Sequence, residues 1–189
     1  CNPDNPMGGF LEPSVITAAA ARLPTDAVLL LDEAYGEFAP ALPAIDPDDP
    51  RVIRFRTFSK AYGMAGARVG YAIAAPQVIR AYDRVRNHFG VNSVGQAGAL
   101  AALGDGAWLD RTRAQVAAAR DRIAQGAREN GLSPLPSATN FVTIDCGRDG
   151  DFARAVLAAL AHRGVFVRMP WVAPQDRCIR VSCCLLYTS

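Results

Sequence analysis

The chain has 189 residues, half of them hydrophobic and a fifth charged, so it can bury one sizeable core or two small ones and is not a disordered segment. Its formal net charge of +2, with both signs interspersed, offers no basic face for nucleic acid or for an anionic membrane. Five cysteines (Cys1, Cys146, Cys178, Cys183, Cys184) contain no C-x-x-C pair and two histidines (His88, His162) no H-E-x-x-H motif; the expectation is reduced thiols, no metal site and cytoplasmic small-molecule chemistry.

Residues 1–9 form a Pro/Gly/Asn loop without periodicity. Ser14, after Pro13, is expected to open a short helix that ends near Pro24. Ala27 to Leu31 is an unbroken apolar run that suits a strand buried on both faces of a parallel sheet. Ligands bind beyond the carboxyl ends of such strands, which places Asp32 and Tyr35 well. Residues 40–50 read as a surface loop, Val52 to Phe55 and Val69 to Ala74 as strands. Gln77 to Phe89 puts Val78, Tyr82, Val85 and Phe89 on one helical face, and Val94 to Leu103 is an Ala/Gly-rich helix. Trp108 to Asn130 is a long helix with an apolar stripe at Leu109, Val116 and Ile123, capped by Gly131 and expected to join two domains. Beyond it the pattern predicts a strand from Asn140 to Asp145, a helix from Asp151 to His162 capped by Gly164, and strands from Val165 to Arg168 and from Cys178 to Ser182.

The most informative stretch is Arg54 to Tyr71, RFRTFSKAYGMAGARVGY. Lys60 follows two hydroxyl residues, Thr57 and Ser59, and precedes Gly63, Gly66, Arg68 and Gly70. Glycines permit tight turns and close approach of backbone to a ligand, while hydroxyls and a guanidinium make a cradle for phosphate. A lysine in that cradle can form a Schiff base with an aldehyde on the same ligand, a combination that points to pyridoxal phosphate. No dinucleotide fingerprint, P-loop or G-x-S-x-G elbow is present.

Thr57-Phe58-Ser59-Lys60, running on through Gly66, Arg68 and Gly70-Tyr71, resembles the cofactor-lysine segment of fold-type-I pyridoxal-phosphate aminotransferases, and most nearly the histidinol-phosphate aminotransferase group. Cys1-Asn2-Pro3-Asp4-Asn5-Pro6-Met7-Gly8, Asp32-Glu33-Ala34-Tyr35, Ser137-Ala138-Thr139-Asn140-Phe141 and Ile179-Arg180-Val181 agree in order, so the resemblance runs from residue 1 to about Ser182. It implies an α/β fold: residues 1–108 as the remainder of a mainly parallel-sheet α/β/α large domain, and 109–182 as a C-terminal α+β small domain with its linking helix. Residues 183–189 fall outside the family pattern and are expected to be foreign.

The same resemblance assigns roles. Lys60 would carry the cofactor and shuttle a proton, Asp32 would pair with the pyridine nitrogen, and Tyr35 and Asn5 would bond the ring hydroxyl oxygen. Thr57, Ser59 and Arg68 would bind the phosphate. Arg180 would clamp a substrate carboxylate, Arg168 would lie near a side-chain phosphate, and Asn140 would stand beside the cofactor. Glu33, Tyr62, Tyr71 and His88 read as framework. The implied reaction moves an amino group between histidinol phosphate, or an aromatic amino acid, and a 2-oxo acid such as 2-oxoglutarate, in a homodimer. A lyase on the same scaffold, such as a threonine-phosphate decarboxylase, and an effector domain of a transcription regulator are the rivals. The chain opens inside a motif and without methionine, so it is expected to be an N-terminally truncated fragment that alone holds cofactor poorly.

Overall fold

The computed structural model describes residues 1–183; the expected foreign tail therefore lies, apart from Cys183, outside the described residues. The chain forms two compact units, one of Cys1–Pro3 with Phe10–Arg111, the other of Asp4–Gly9 with Thr112–Ser189. Among the described residues no helix is long and apolar enough to cross a membrane.

The first unit contains α1 (Pro13–Ala21), β1 (Leu29–Asp32), β2 (Val52–Thr57), β3 (Gly70–Ile73), α2 (Pro76–Tyr82) and α3 (Ser93–Gly104). Helix α1 starts at Pro13 rather than at the expected Ser14, because the ring of proline presets φ for a first helical position whose N–H has no partner anyway. The sheet is mixed, with β1 parallel to β2 and β2 antiparallel to β3. β1 is shifted two residues beyond the expected run at its start and includes Asp32. Nor is it buried on both faces: Leu31 is buried, but Leu30 is 62% exposed. Side chains alternate along a strand, so Leu30 and Asp32 share the open face. α2 ends at Tyr82, short of the expected Phe89. Phe89 is 95% exposed and Val85 is exposed too, so no buried stripe supports another turn. α3 matches its expected span to within one residue at each end, and the Asn92 side chain caps it by accepting from the Gly95 N–H.

Phe58 is the hub of this unit. Its ring meets those of Tyr62 (centroids 5.0 Å apart) and Tyr71 (5.6 Å) in tilted pairs, and it packs with Val69 and Ala99. Gly70 allows β3 to close on β2, since a Cβ there would stand 2.9 Å from the Arg56 carbonyl oxygen. Gly70→Ala is expected to lower stability by about 1–3 kcal/mol, the usual cost of overpacking against backbone, measured by urea unfolding.

α4 (Gly106–Glu129) is divided between the units after Arg111. The second unit adds β4 (Ser133–Pro134), β5 (Phe141–Asp145), α5 (Gly150–His162) and β6 (Cys178–Ser182). These strands form an antiparallel sheet in the order β4-β5-β6, and Val142, Ile144, Ala153, Val167, Met169 and Ile179 are buried together between sheet and helix. Gly131 and Gly164 take positive φ just past α4 and α5, as their places at the helix ends require.

The expected strand at 165–168 does not form; only Arg168 pairs, with Arg180 of β6. The Val165 N–H is committed to the Leu160 carbonyl in the cap of α5, and Pro170 has no N–H to give. One bridge is all that the segment between them can make.

Candidate active site

In the first unit the candidate residues gather at the carboxyl end of the parallel pair β1–β2. Asp32 ends β1, opposite Phe55, and Thr57 ends β2. The Asp32 carboxylate accepts from the Ala34 N–H (2.9 Å), and its carbonyl accepts from the Asn2 N–H (2.9 Å), so the acid sits at a fixed corner of the strand end. Tyr35 is buried just beyond, at the start of a short 3-10 turn. The Lys60 ammonium stands 5.2 Å from the centroid of the Tyr35 ring, within cation–π range.

The turn from β2 to β3 carries Thr57, Ser59, Lys60 and Arg68. The Thr57 hydroxyl accepts from the Ser59 N–H (3.0 Å), the Phe58 N–H donates to the Val69 carbonyl (3.1 Å), and the Met64 N–H donates back to the Phe58 carbonyl (2.9 Å). Arg68 adopts the left-handed conformation (φ 57°, ψ 48°), the one such non-glycine among the described residues. That conformation costs an ordinary residue about 1–2 kcal/mol. Strain of this kind persists where surrounding structure enforces it and is concentrated at ligand-binding turns. The Arg68 guanidinium donates to the Ala65 carbonyl (2.7 Å) across the turn.

Beneath this corner lies a buried charge network. Glu33, fully buried, takes two hydrogen bonds from Arg54 (3.0 and 2.9 Å) and one from Arg56 (2.7 Å), and Arg56 also reaches Glu37 (3.0 Å). Burial opposes the charge of Arg56, but the two carboxylates outweigh it and raise its pKa. Burial likewise raises the Tyr71 hydroxyl. Arg54 and Arg56 alternate along β2 and so face the same side as Glu33, opposite the face of Asp32. Glu33 is expected to be framework; its partners are Arg54 and Arg56, with Glu37 bound to Arg56, and R-x-R on a strand beside E-x-x-x-E is the sequence signal for the network.

In the second unit, Arg180 lies directly across from Thr143 on one side and Arg168 on the other, so the three share one face of the sheet. The loop Asp4–Gly9 covers that face. Its Pro6 carbonyl accepts from the Thr143 hydroxyl (2.6 Å), and the Asn5 side-chain oxygen accepts from the Arg180 guanidinium. Arg180 also lies over the Phe141 ring, 4.9 Å from its centroid, and its Nε is buried with no hydrogen-bond partner among the described residues. A buried donor left without an acceptor is costly. Asn140 takes part through its backbone, its carbonyl accepting from the Cys183 N–H (2.8 Å). Ser137 and Thr139 hold the segment before it by hydroxyl bonds to the Phe141 carbonyl (2.6 and 3.2 Å), and Arg120 donates to both their carbonyls.

The structure therefore brings Asp32, Tyr35, Thr57, Ser59, Lys60 and Arg68 into one unit, and Asn5, Asn140, Arg168 and Arg180 into the other. The first set combines an amine, a phenol, a carboxylate, two hydroxyls and a guanidinium; the second is a paired-arginine surface.

The family model for aminotransferase class I and II matches residues 1–187. The chain is 42% identical over 172 residues to histidinol-phosphate aminotransferase 2 of Ralstonia nicotianae, covering 88% of this chain and 46% of that protein. It is 38% identical over 192 residues to histidinol-phosphate aminotransferase 1 of Cupriavidus pinatubonensis, covering 96% and 50%. A crystal structure of histidinol-phosphate aminotransferase from Sinorhizobium meliloti in complex with pyridoxal-5'-phosphate superimposes with a TM-score of 0.91 at 51% identity, over 96% of this chain and 51% of that one. The chain spans about half the length of the relatives it matches.

Proposed function

Because the chain belongs to the aminotransferase class I and II family, we propose that the whole protein is a pyridoxal-phosphate-dependent aminotransferase that uses histidinol phosphate and 2-oxoglutarate. The observation that carries this reading is the gathering of Asp32, Tyr35 and Lys60 with the Thr57–Arg68 turn at the carboxyl end of β1 and β2. The donor set fits the cofactor: an amine for its aldehyde, an acid for its ring nitrogen, a phenol for its ring oxygen, and hydroxyls with a guanidinium for its phosphate. When bound, that group supplies an electron sink for the carbanion formed at the substrate α-carbon.

The chain's own residues do the rest. Lys60, once its amine is released, takes and returns the proton of the α-carbon. Asp32 would pair with the cofactor's ring nitrogen, and Tyr35 and Asn5 would donate to its ring oxygen. Thr57, Ser59 and Arg68 hold the phosphate; the Thr57 hydroxyl meets the Val69 carbonyl only at 3.5 Å, which leaves its proton available to a ligand. Arg180 would take the carboxylate of the 2-oxo acid, Arg168 would take the phosphate of histidinol phosphate, which has no carboxylate, and Asn140 would stand beside the cofactor. We assign residues 1–108 to the large domain and 109–182 to the small one. The homodimer rests on the family resemblance, and the cytoplasmic setting on the free thiols of the described cysteines.

The test is a substrate comparison in the whole protein. Histidinol phosphate is expected to exceed phenylalanine in kcat/KM by about tenfold or more, since a hydrogen bond to a charged group contributes about 1.5–3 kcal/mol. Carbon dioxide release would assign the protein to the lyases instead, and equal use of phenylalanine would sink the phosphate role of Arg168. Arg180→Gln is expected to raise the KM for 2-oxoglutarate about tenfold or more, the cost of losing a hydrogen bond to a charged group. Steady-state kinetics checks it.

A further inference from the structure

We infer that Trp171 is a specificity-determining residue that stacks on the planar side chain of an anionic substrate held by Arg168 and Arg180. The inference rests on the reading of that arginine pair as the substrate site.

A cavity of about 440 Å³ in the second unit is lined by both arginines together with Leu157, Phe166, Met169 and Trp171. The two arginines are joined by a reciprocal pair of backbone hydrogen bonds (3.1 and 2.6 Å). Residues opposed in this way project from the same face with Cβ atoms about 5 Å apart, where like charges repel. Among the described residues no carboxylate lines the cavity, so none of them neutralises the pair. An anion does so, and it also satisfies the buried Arg180 Nε.

Apart from the guanidiniums the lining is apolar, which excludes a small hydrated ion as the best occupant. Two large aromatic side chains edge the cavity in contact with water, Trp171 at 70% and Phe166 at 81% exposure. They are not equivalent. The Arg168 guanidinium lies over the Phe166 ring at 6.0 Å, so that face is committed to a cation. Among the described residues the Trp171 indole meets no other ring or cation. A flat, exposed π-surface beside a cationic pair recognises a ligand with a planar ring at one end and an anionic group at the other.

The probes are phenyl phosphate, which has both features, and glycerol 3-phosphate, which has the anion alone. Each is titrated into the whole protein, following the tryptophan emission to which Trp108 and Trp171 contribute, with calorimetry for the affinities. Phenyl phosphate is expected to bind about five- to tenfold more tightly, the increment of one aromatic pair, and to quench Trp171. Trp171→Ala should bring the ratio of the two affinities close to one while leaving glycerol 3-phosphate unchanged; Trp171→Phe should keep most of the preference. Circular dichroism and the retained Trp108 emission show that the variants fold. A preference that survives Trp171→Ala overturns the inference and leaves the arginine reading intact. Binding of both probes that survives the double variant Arg168→Gln, Arg180→Gln, or no binding of either to the unmodified chain, overturns both.

Discussion

Lys60→Ala in the whole protein is expected to lower the transamination rate by about a thousandfold or more, within or beyond the range of about 10²–10⁴ that a positioned acid–base group supplies. The loss is expected to exceed that of any other single change because, in the proposed reaction, one side chain serves twice, as the amine that accepts the cofactor aldehyde and as the group that moves the α-proton. Activity alone would not separate these roles from a collapse of the turn, so the readout is covalent. Borohydride reduction of the unmodified protein should fix the cofactor to Lys60, found by peptide mass analysis, and Lys60→Ala should take up no label there. Label on another lysine, or a rate within tenfold of the unmodified protein, would sink the assignment. The surroundings predict that the variant folds: Lys60 is half-buried, and the turn is held by Phe58, whose partners Tyr62, Tyr71 and Val69 are untouched.

Glu33→Ala is expected to destabilise the first unit by about 3–5 kcal/mol, because it leaves Arg54 and much of Arg56 as largely buried guanidiniums without their shared counter-charge. Against total stabilities of about 5–15 kcal/mol, that is enough to unfold a substantial fraction of molecules at ordinary temperature. Glu33→Gln, which keeps volume and one hydrogen-bond acceptor, should cost less. Urea midpoints for the two variants check the order, and a cost below about 1 kcal/mol for the alanine variant would mean that water reaches the guanidiniums. The effect should extend to the site. Glu33 lies between Asp32 and Tyr35, its N–H bonds the Phe55 carbonyl (2.9 Å), and its carbonyl accepts from Gly36 (2.8 Å). The network therefore fixes the segment that carries both the acid and the phenol.

The parts of the fold that a reader of the sequence can find are those with a local cause. Helices α4 and α5 follow from apolar periodicity ended by glycine, strand β6 from a short apolar run, and each forms within two residues of its expected bounds. The grouping of Thr57, Ser59, Lys60 and Arg68 on one turn between two strands is likewise written in eighteen consecutive letters, Arg54 to Tyr71. What fails is what depends on distant partners. Residues 83–89 have helical spacing, but Val85 and Phe89 are exposed among the described residues. Val165 to Arg168 has strand composition, but its first amide is spent on a helix cap. The arrangement around Arg180 is the least legible of all, since Asn5, Thr143 and Arg168 meet it from three remote parts of the chain. Charge networks such as Glu33 with Arg54 and Arg56 are invisible for the same reason: strand register decides which charges meet.

The single bridge at Arg168 has a consequence for how this scaffold diversifies. Residues 169–174 run from that bridge toward the short 3-10 turn at Gln175–Arg177 without a second rung to the sheet. Insertions or exchanges there disturb few backbone bonds, so a lineage can swap the aromatic at 171, or lengthen the strap that bears it, while the hydrophobic interior beneath stays as it is. Selectivity on this fold is thereby detachable from stability, and new substrates are reached by editing a tether rather than by rebuilding a core.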